Sequence, residues 1–125
     1  MSENELSRII VNTAFDIHKT LGPGLLESVY EEVMYYELTR QGLMVERQKA
    51  VPVFWKEIKM DIGFRADLIV ENKVIVELKS VETIVPVNFK QTLTYLQLTG
   101  LKLGLLINFN EALIKDGITR IVNKL

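Results

Sequence analysis

The chain has 125 residues, 48% hydrophobic, 25% charged and 8% aromatic, with a net charge of −1. Those proportions suit a globular domain with a sizeable core and exclude intrinsic disorder and low-complexity structure. The absence of cysteine excludes disulfides, thiol catalysis, cysteine–zinc sites and iron–sulfur ligation.

The length predicts a single domain over residues 1–125. No run of roughly 18 apolar residues is present, so no membrane contact is expected. The acidic start Met1-Ser2-Glu3-Asn4-Glu5 lacks the pattern of a signal peptide, and a cytoplasmic location is the expectation. Charge is unevenly spread. Residues 1–39 carry seven acids against two bases, whereas residues 40–60 carry five bases against two acids. A protein held to nucleic acid by general phosphate attraction would be far more basic, so any such contact needs a local patch or a metal ion.

Leu6, Ile9, Ile10, Thr13, Ile17 and Leu21 trace a helical stripe that Gly22-Pro23-Gly24 ends. A second helix runs from Leu25 to about Gln41, with Leu26, Val29, Tyr30 and Val33 predicted to be buried. Strands follow over Val45–Trp55, with Pro52 suggesting an edge or bulge, then Ile58–Phe64 and Ala66–Val70. Glu71-Asn72-Lys73 reads as a tight turn into a strand over Val74–Lys79. Pro86 opens a third helix to about Thr99, with Phe89, Leu93 and Leu96 toward the core. Lys102–Phe109 and Gly117–Val122 are the last strands. The order ααββββαββ predicts an α/β fold, a mixed β-sheet flanked by helices.

Val74-Ile75-Val76 is apolar on successive positions, the mark of a strand buried on both faces. Glu77 and Lys79 then share one face, which by itself reads equally as a salt-bridged strand end. If this strand pairs with Asp67-Leu68-Ile69-Val70 across the turn, Asp67 lies opposite Glu77. Two carboxylates that close repel, so one takes up a proton or both bind a cation. A hard divalent ion such as Mg²⁺ suits them, with Lys79 beside it to hold or activate water. Glu27 sits at the edge of the second helical stripe, where a carboxylate is most often simply solvated. Gln91 and Tyr95, four apart, share a face of the third helix. His18, the only histidine, reads as a packing or capping residue, and neither a serine triad nor a P-loop can be built. The basic cluster Arg40–Lys59 is most simply a solvated face, with phosphate binding as the alternative.

Together these residues resemble a known family. Gly24-Leu25-Leu26-Glu27-Ser28-Val29-Tyr30 matches a GxxExxY signature. Asp67, Glu77-Leu78-Lys79 and Gln91-Thr92-Leu93-Thr94-Tyr95 match the acid, ExK and QxxxY motifs of the PD-(D/E)XK nuclease superfamily. The chain is similar to GxxExxY proteins of that superfamily from about Leu6 to Val122.

The resemblance implies a restriction-endonuclease-like core with an acidic pocket at the open end of its sheet. It implies that Asp67, Glu77 and the Leu78 carbonyl hold Mg²⁺ or Mn²⁺, with Glu27 completing the shell. Lys79 would orient water and steady developing charge; Gln91, Tyr95 and Tyr30 would position substrate or support the site. Where relatives often have a Tyr-Lys-Gly turn, this chain has Trp55-Lys56-Glu57. The expected activity is metal-dependent phosphodiester hydrolysis, on DNA or else RNA. The alternative is a non-catalytic nucleic-acid-binding or assembly module that retains the fold. Cutting both strands with so small a chain needs two sites, so a homodimer is expected. No specificity module is legible, which leaves room for a partner protein.

Overall fold

The structure, a computed structural model, describes residues 1–125 apart from the side chains of Asp61 and Ile62. Helix α1 (Glu3–Leu21) starts at a capping box in which Ser2 and Glu5 bond reciprocally, and it ends at Gly22. Helix α2 (Glu27–Arg40) follows a short loop, and then come β1 (Val45–Trp55), β2 (Ile58–Val70) and β3 (Val74–Lys79). Helix α3 (Pro86–Thr99) crosses over to β4 (Leu103–Asn108), and a short 3₁₀ turn over Ile114–Gly117 leads into β5 (Ile118–Val122).

The strands lie in the order β1-β2-β3-β4-β5, all neighbours antiparallel except the parallel pair β3–β4 that α3 connects. This is the expected mixed sheet flanked by helices, with one correction to the strand order. The segments expected as separate strands, Ile58–Phe64 and Ala66–Val70, run on as the single strand β2. No turn residue separates Phe64 from Ala66, and Arg65 stays paired with Ala50.

Helices α1 and α2 cover one face of the sheet. Leu6, Ile10, Ile17, Tyr30, Met34 and Leu38 pack there on Leu68, Val76, Leu78, Leu105 and Ile107. A smaller cluster of Ala66, Ile69, Ile75 and Leu96 lies under α3 on the other face. The central strands β3 and β4 are buried along almost their whole length, as their continuous apolar runs require.

Two helix faces differ from the expectation. On α2 the buried residues are Tyr30, Glu31, Met34 and Leu38, while Leu26 is 74% and Val29 38% exposed. Both sets have helical spacing; the set that extends through Met34 and Leu38 is the one that reaches the sheet. On α3 the buried residues are Thr92 and Leu96, with Leu93 exposed. A small side chain at position 92 lets α3 approach Gly104, where an added Cβ would lie 2.8 Å from Thr92 Cγ2. Gly104→Ala is therefore expected to push α3 off the sheet and cost about 1–3 kcal/mol in a urea melt.

Beyond the pairs that β2 makes with β3, the hairpin β1–β2 continues alone to its Lys56-Glu57 tip. Its register shifts between Val51 and Val53, the bulge anticipated from Pro52. Gly63 lies against that bulge, where a Cβ would overlap the Val51 carbonyl oxygen.

Candidate active site

The turn at Glu71 and Asn72, both at φ 52°, sets the register of β2 against β3. Val70 pairs with Val74, Ile69 with Ile75 and Leu68 with Val76. One step further, Asp67 and Glu77 come opposite each other and the backbone ladder gives way to their side chains. The Leu78 amide donates to Asp67 Oδ2 at 2.8 Å, and the Asp67 amide donates to Glu77 Oε2 at 3.2 Å. Each carboxyl thus occupies the wedge where the two strands part.

Glu77 is buried, with 7% of its surface exposed. Its carboxyl is pushed up to about 9, first by burial, then by the charge of Asp67 and a side-chain hydrogen bond with it. The Lys79 ammonium works in the opposite direction, as a weaker influence. Without a cation Glu77 is therefore protonated at neutral pH, the outcome expected of two crowded carboxyls.

A cavity of about 120 Å³ opens over this pair, lined by Glu27, Arg65, Lys79, Asn88, Gln91 and Tyr95 among others. So Asp67, Glu77, Lys79, Glu27, Gln91 and Tyr95, singled out from the sequence, all face one space. Gln91 and Tyr95 enter from α3, and Tyr95 stacks on Phe64 of β2 with ring centroids 3.7 Å apart. Burial, reinforced by the charges of Glu77 and Asp67, raises the Tyr95 hydroxyl above its ordinary value. Leu78 buries its side chain under α1 and α2, and it lines an adjoining cleft with Glu27, Glu31, Gln48 and Asp67.

Tyr30 is not in the cavity. It is fully buried, stacked on Phe109 at 4.4 Å, so it cannot touch a substrate. Its hydroxyl donates to the Gly22 carbonyl at 2.6 Å and accepts from the Leu25 amide at 3.2 Å. Ser80 ties the same loop from the other side by donating to the Leu25 carbonyl at 2.6 Å. The part of Tyr30 is to anchor the loop that leads into Glu27, the first residue of α2. Tyr30→Phe leaves two backbone groups without their partner and is expected to cost about 1–2 kcal/mol. Limited proteolysis should then cut within residues 22–26 before the rest of the chain.

Two further polar residues meet the site and were not legible in the sequence. Glu31 is buried and accepts from Arg47 Nη2 at 3.1 Å. Gln48 Nε2 donates to both Glu31 Oε1 and Asp67 Oδ1, the latter at 3.3 Å. Gln48 has φ 48°, an uncommon conformation for a residue other than glycine. It stands where the pairing of β1 with β2 skips from Arg47↔Leu68 to Lys49↔Ala66. Backbone strain of about 1–3 kcal/mol is thus spent next to Asp67. Glu31 carries one signal, its place a helical turn after Glu27; Gln48 carries none.

His18 packs outside the site and donates from Nε2 to the Glu111 carbonyl at 2.8 Å, as its packing role predicts. Among the described residues, no group of three or more His, Asp or Glu side chains is placed to enclose a metal ion. Asp67 and Glu77 stand as a pair, with Glu27 on the cavity wall. Two carboxylates still fit a hard cation such as Mg²⁺, which keeps several waters and shares its shell with substrate phosphate. Two carboxyl groups crowded into one cavity, with no salt-bridge partner among the described residues, are the observation that favours such an ion. No helix of the described residues is long and apolar enough to cross a membrane.

The family model of the PD-(D/E)XK nuclease superfamily matches residues 4–121. No curated protein and no solved structure matches the chain. The chain belongs to the PD-(D/E)XK nuclease superfamily.

Proposed function

We propose that this member of the PD-(D/E)XK nuclease superfamily is a divalent-metal-dependent nuclease that hydrolyses phosphodiester bonds, with DNA as the leading substrate. The observation that carries this reading is the half-buried Asp67 set against the buried Glu77, with Lys79 beside them in one cavity. Asp67, Glu77 and the Leu78 carbonyl are the groups that would hold Mg²⁺ or Mn²⁺. Such an ion supplies Lewis acidity toward the phosphodiester and neutralises the carboxylates when bound. Glu27, at the cavity wall, completes the polar surroundings and accepts hydrogen bonds from water.

Lys79 brings a positive charge to the phosphate and steadies the negative charge that grows on its oxygens during in-line attack. Gln91 and Tyr95 offer an amide and a hydroxyl to hold the sugar–phosphate backbone in place. Gln48 donates to Asp67 and, braced by Glu31, keeps that carboxylate aimed. The narrower assignment to GxxExxY proteins rests on Gly24, Glu27 and Tyr30, whose parts here are a loop turn, a cavity acid and a loop anchor. A homodimer would bring two sites to a duplex, and a partner protein would supply target choice.

The test is cleavage of supercoiled plasmid, single strands and branched DNA with Mg²⁺ or Mn²⁺, wild type against Asp67→Ala. Metal-dependent cleavage that Asp67→Ala loses, with circular dichroism unchanged, sustains the reading. Equal cleavage by both proteins contradicts it. Binding without cleavage on every substrate, RNA included, favours the non-catalytic module.

A further inference from the structure

The hairpin β1–β2 extends from the site as a two-stranded arm, with no third strand beside it from Ala66 to its tip among the described residues. An isolated hairpin is marginal in water, and burying its apolar side chains is the usual remedy. This arm does the reverse at its tip, where Phe54 is 58%, Trp55 64% and Ile58 61% exposed. Trp55 and Ile58 pair across the strands on one face and Phe54 lies on the other, and an exposed apolar pair of that kind marks a binding surface.

The arm is also the basic part of the chain. Residues 47–65 carry five bases against two acids in a protein of net charge −1. Arg47 is paired with Glu31 and Lys49 with Glu46. Lys56 and Lys59 have no carboxylate partner among the described residues, and Lys56 Nζ lies 5.9 Å from the centre of the Trp55 ring. Along the arm runs a cleft of about 440 Å³, with Val51, Pro52, Met60 and Phe64 giving apolar surface and Lys59 and Arg65 giving charge.

This cleft joins the acidic cavity. Arg65 lines both, and Phe64 stacks on Tyr95 of the cavity wall. A cleft edged by Lys59 and Arg65 therefore leads away from Asp67 and Glu77 along the arm at whose tip Trp55 stands exposed.

We infer that the β1–β2 arm binds an unpaired nucleic-acid strand, stacking a base on Trp55 while Lys56 beside it and Lys59 and Arg65 along the cleft hold phosphates. A duplex hides its base faces and asks only for cations, whereas an unpaired strand uses both the cations and the aromatic surface. A second copy of the chain paired arm to arm would set like charges against each other. That charge arrangement favours the polyanion. The inference deepens the nuclease reading by naming its substrate as a single strand or a frayed end. It rests on that reading for cleavage of the strand and not for its binding.

Trp55 is the only tryptophan, so its emission reports on the arm directly. The experiment titrates the metal-free protein in EDTA with an oligothymidylate of about a dozen nucleotides, a length suited to such surfaces. Expected are quenching of Trp55 in the wild type and, read by the anisotropy of an end-labelled oligothymidylate, binding about ten-fold weaker in Trp55→Leu, the size of one lost stacking contact. The double variant Lys56→Ala/Lys59→Ala should keep the quenching and lower the salt slope by roughly 1.4. The inference is overturned by unchanged emission, by equal quenching with a duplex, or by emission that follows protein concentration without oligonucleotide. Because binding is read without metal, quenching in a protein that never cuts upholds the arm and removes the nuclease reading. Cutting without quenching does the opposite.

Discussion

Replacing Glu77 by Gln should stabilise the metal-free protein at neutral pH while removing its response to Mg²⁺ and Mn²⁺. The reason is the burial of Glu77 against Asp67, which holds its carboxyl at about 9 in the folded chain. In the unfolded chain the same group titrates near the usual 4.5. Below the unfolded value both states carry the proton, and the contribution of Glu77 to stability is fully present. As pH rises from there toward 9, the unfolded chain releases its proton and the folded chain keeps it, so stability falls.

A glutamine has no proton to lose, and its amide oxygen can still accept from the Asp67 amide. The advantage of Glu77→Gln should therefore be small around pH 4.5 and grow to roughly 4–5 kcal/mol by pH 8, read in urea melts across that range. Divalent ions should raise the melting temperature of the wild type alone, since binding to the folded state stabilises it by mass action. A wild-type stability that does not fall between pH 5 and 8 would remove the basis of this prediction.

Lys79→Ala should reduce cleavage by roughly a thousand-fold, the scale of losing one charge-stabilising group at a phosphoryl centre. Its effect on folding should be small, because Lys79 is half-buried at the end of β3 and forms no salt bridge among the described residues. Divalent-ion binding should survive, since the ammonium is a neighbour of the carboxyl pair and not a ligand. Losses in cleavage rate with ion affinity kept within a few-fold would separate Lys79 from Asp67 and Glu77. Equal loss of both would make Lys79 a structural prop for the acids.

The sequence made the heart of the site legible because a short turn controls it. Once Glu71-Asn72-Lys73 is read as a tight turn, the opposition of Asp67 and Glu77 follows from strand periodicity alone. The apolar runs of β3 and β4 and the Gly100 stop after α3 announced themselves in the same local way. The faces of α2 and α3 were less legible, because two overlapping sets of residues have helical spacing and only the tertiary fit chooses between them. Thr92 is buried in preference to Leu93 because it meets Gly104, a contact that spans the crossover. Gln48 could not be found at all. Its place beside Asp67 depends on a left-handed residue in β1 and on Glu31 arriving from α2, and neither leaves a pattern in the chain. Tyr30 stood out as part of a motif, yet its hydroxyl serves the loop before Glu27 and not the cavity.

The claim that Asp67 and Glu77 together form a divalent-metal centre is tested most directly by calorimetric titration of Mn²⁺ into wild type, Glu77→Gln and Lys79→Ala at one pH. The account predicts binding by wild type and Lys79→Ala, and none by Glu77→Gln. Binding by Glu77→Gln as tight as that of the wild type would contradict it and move the ion, if it serves the reaction, away from this pair.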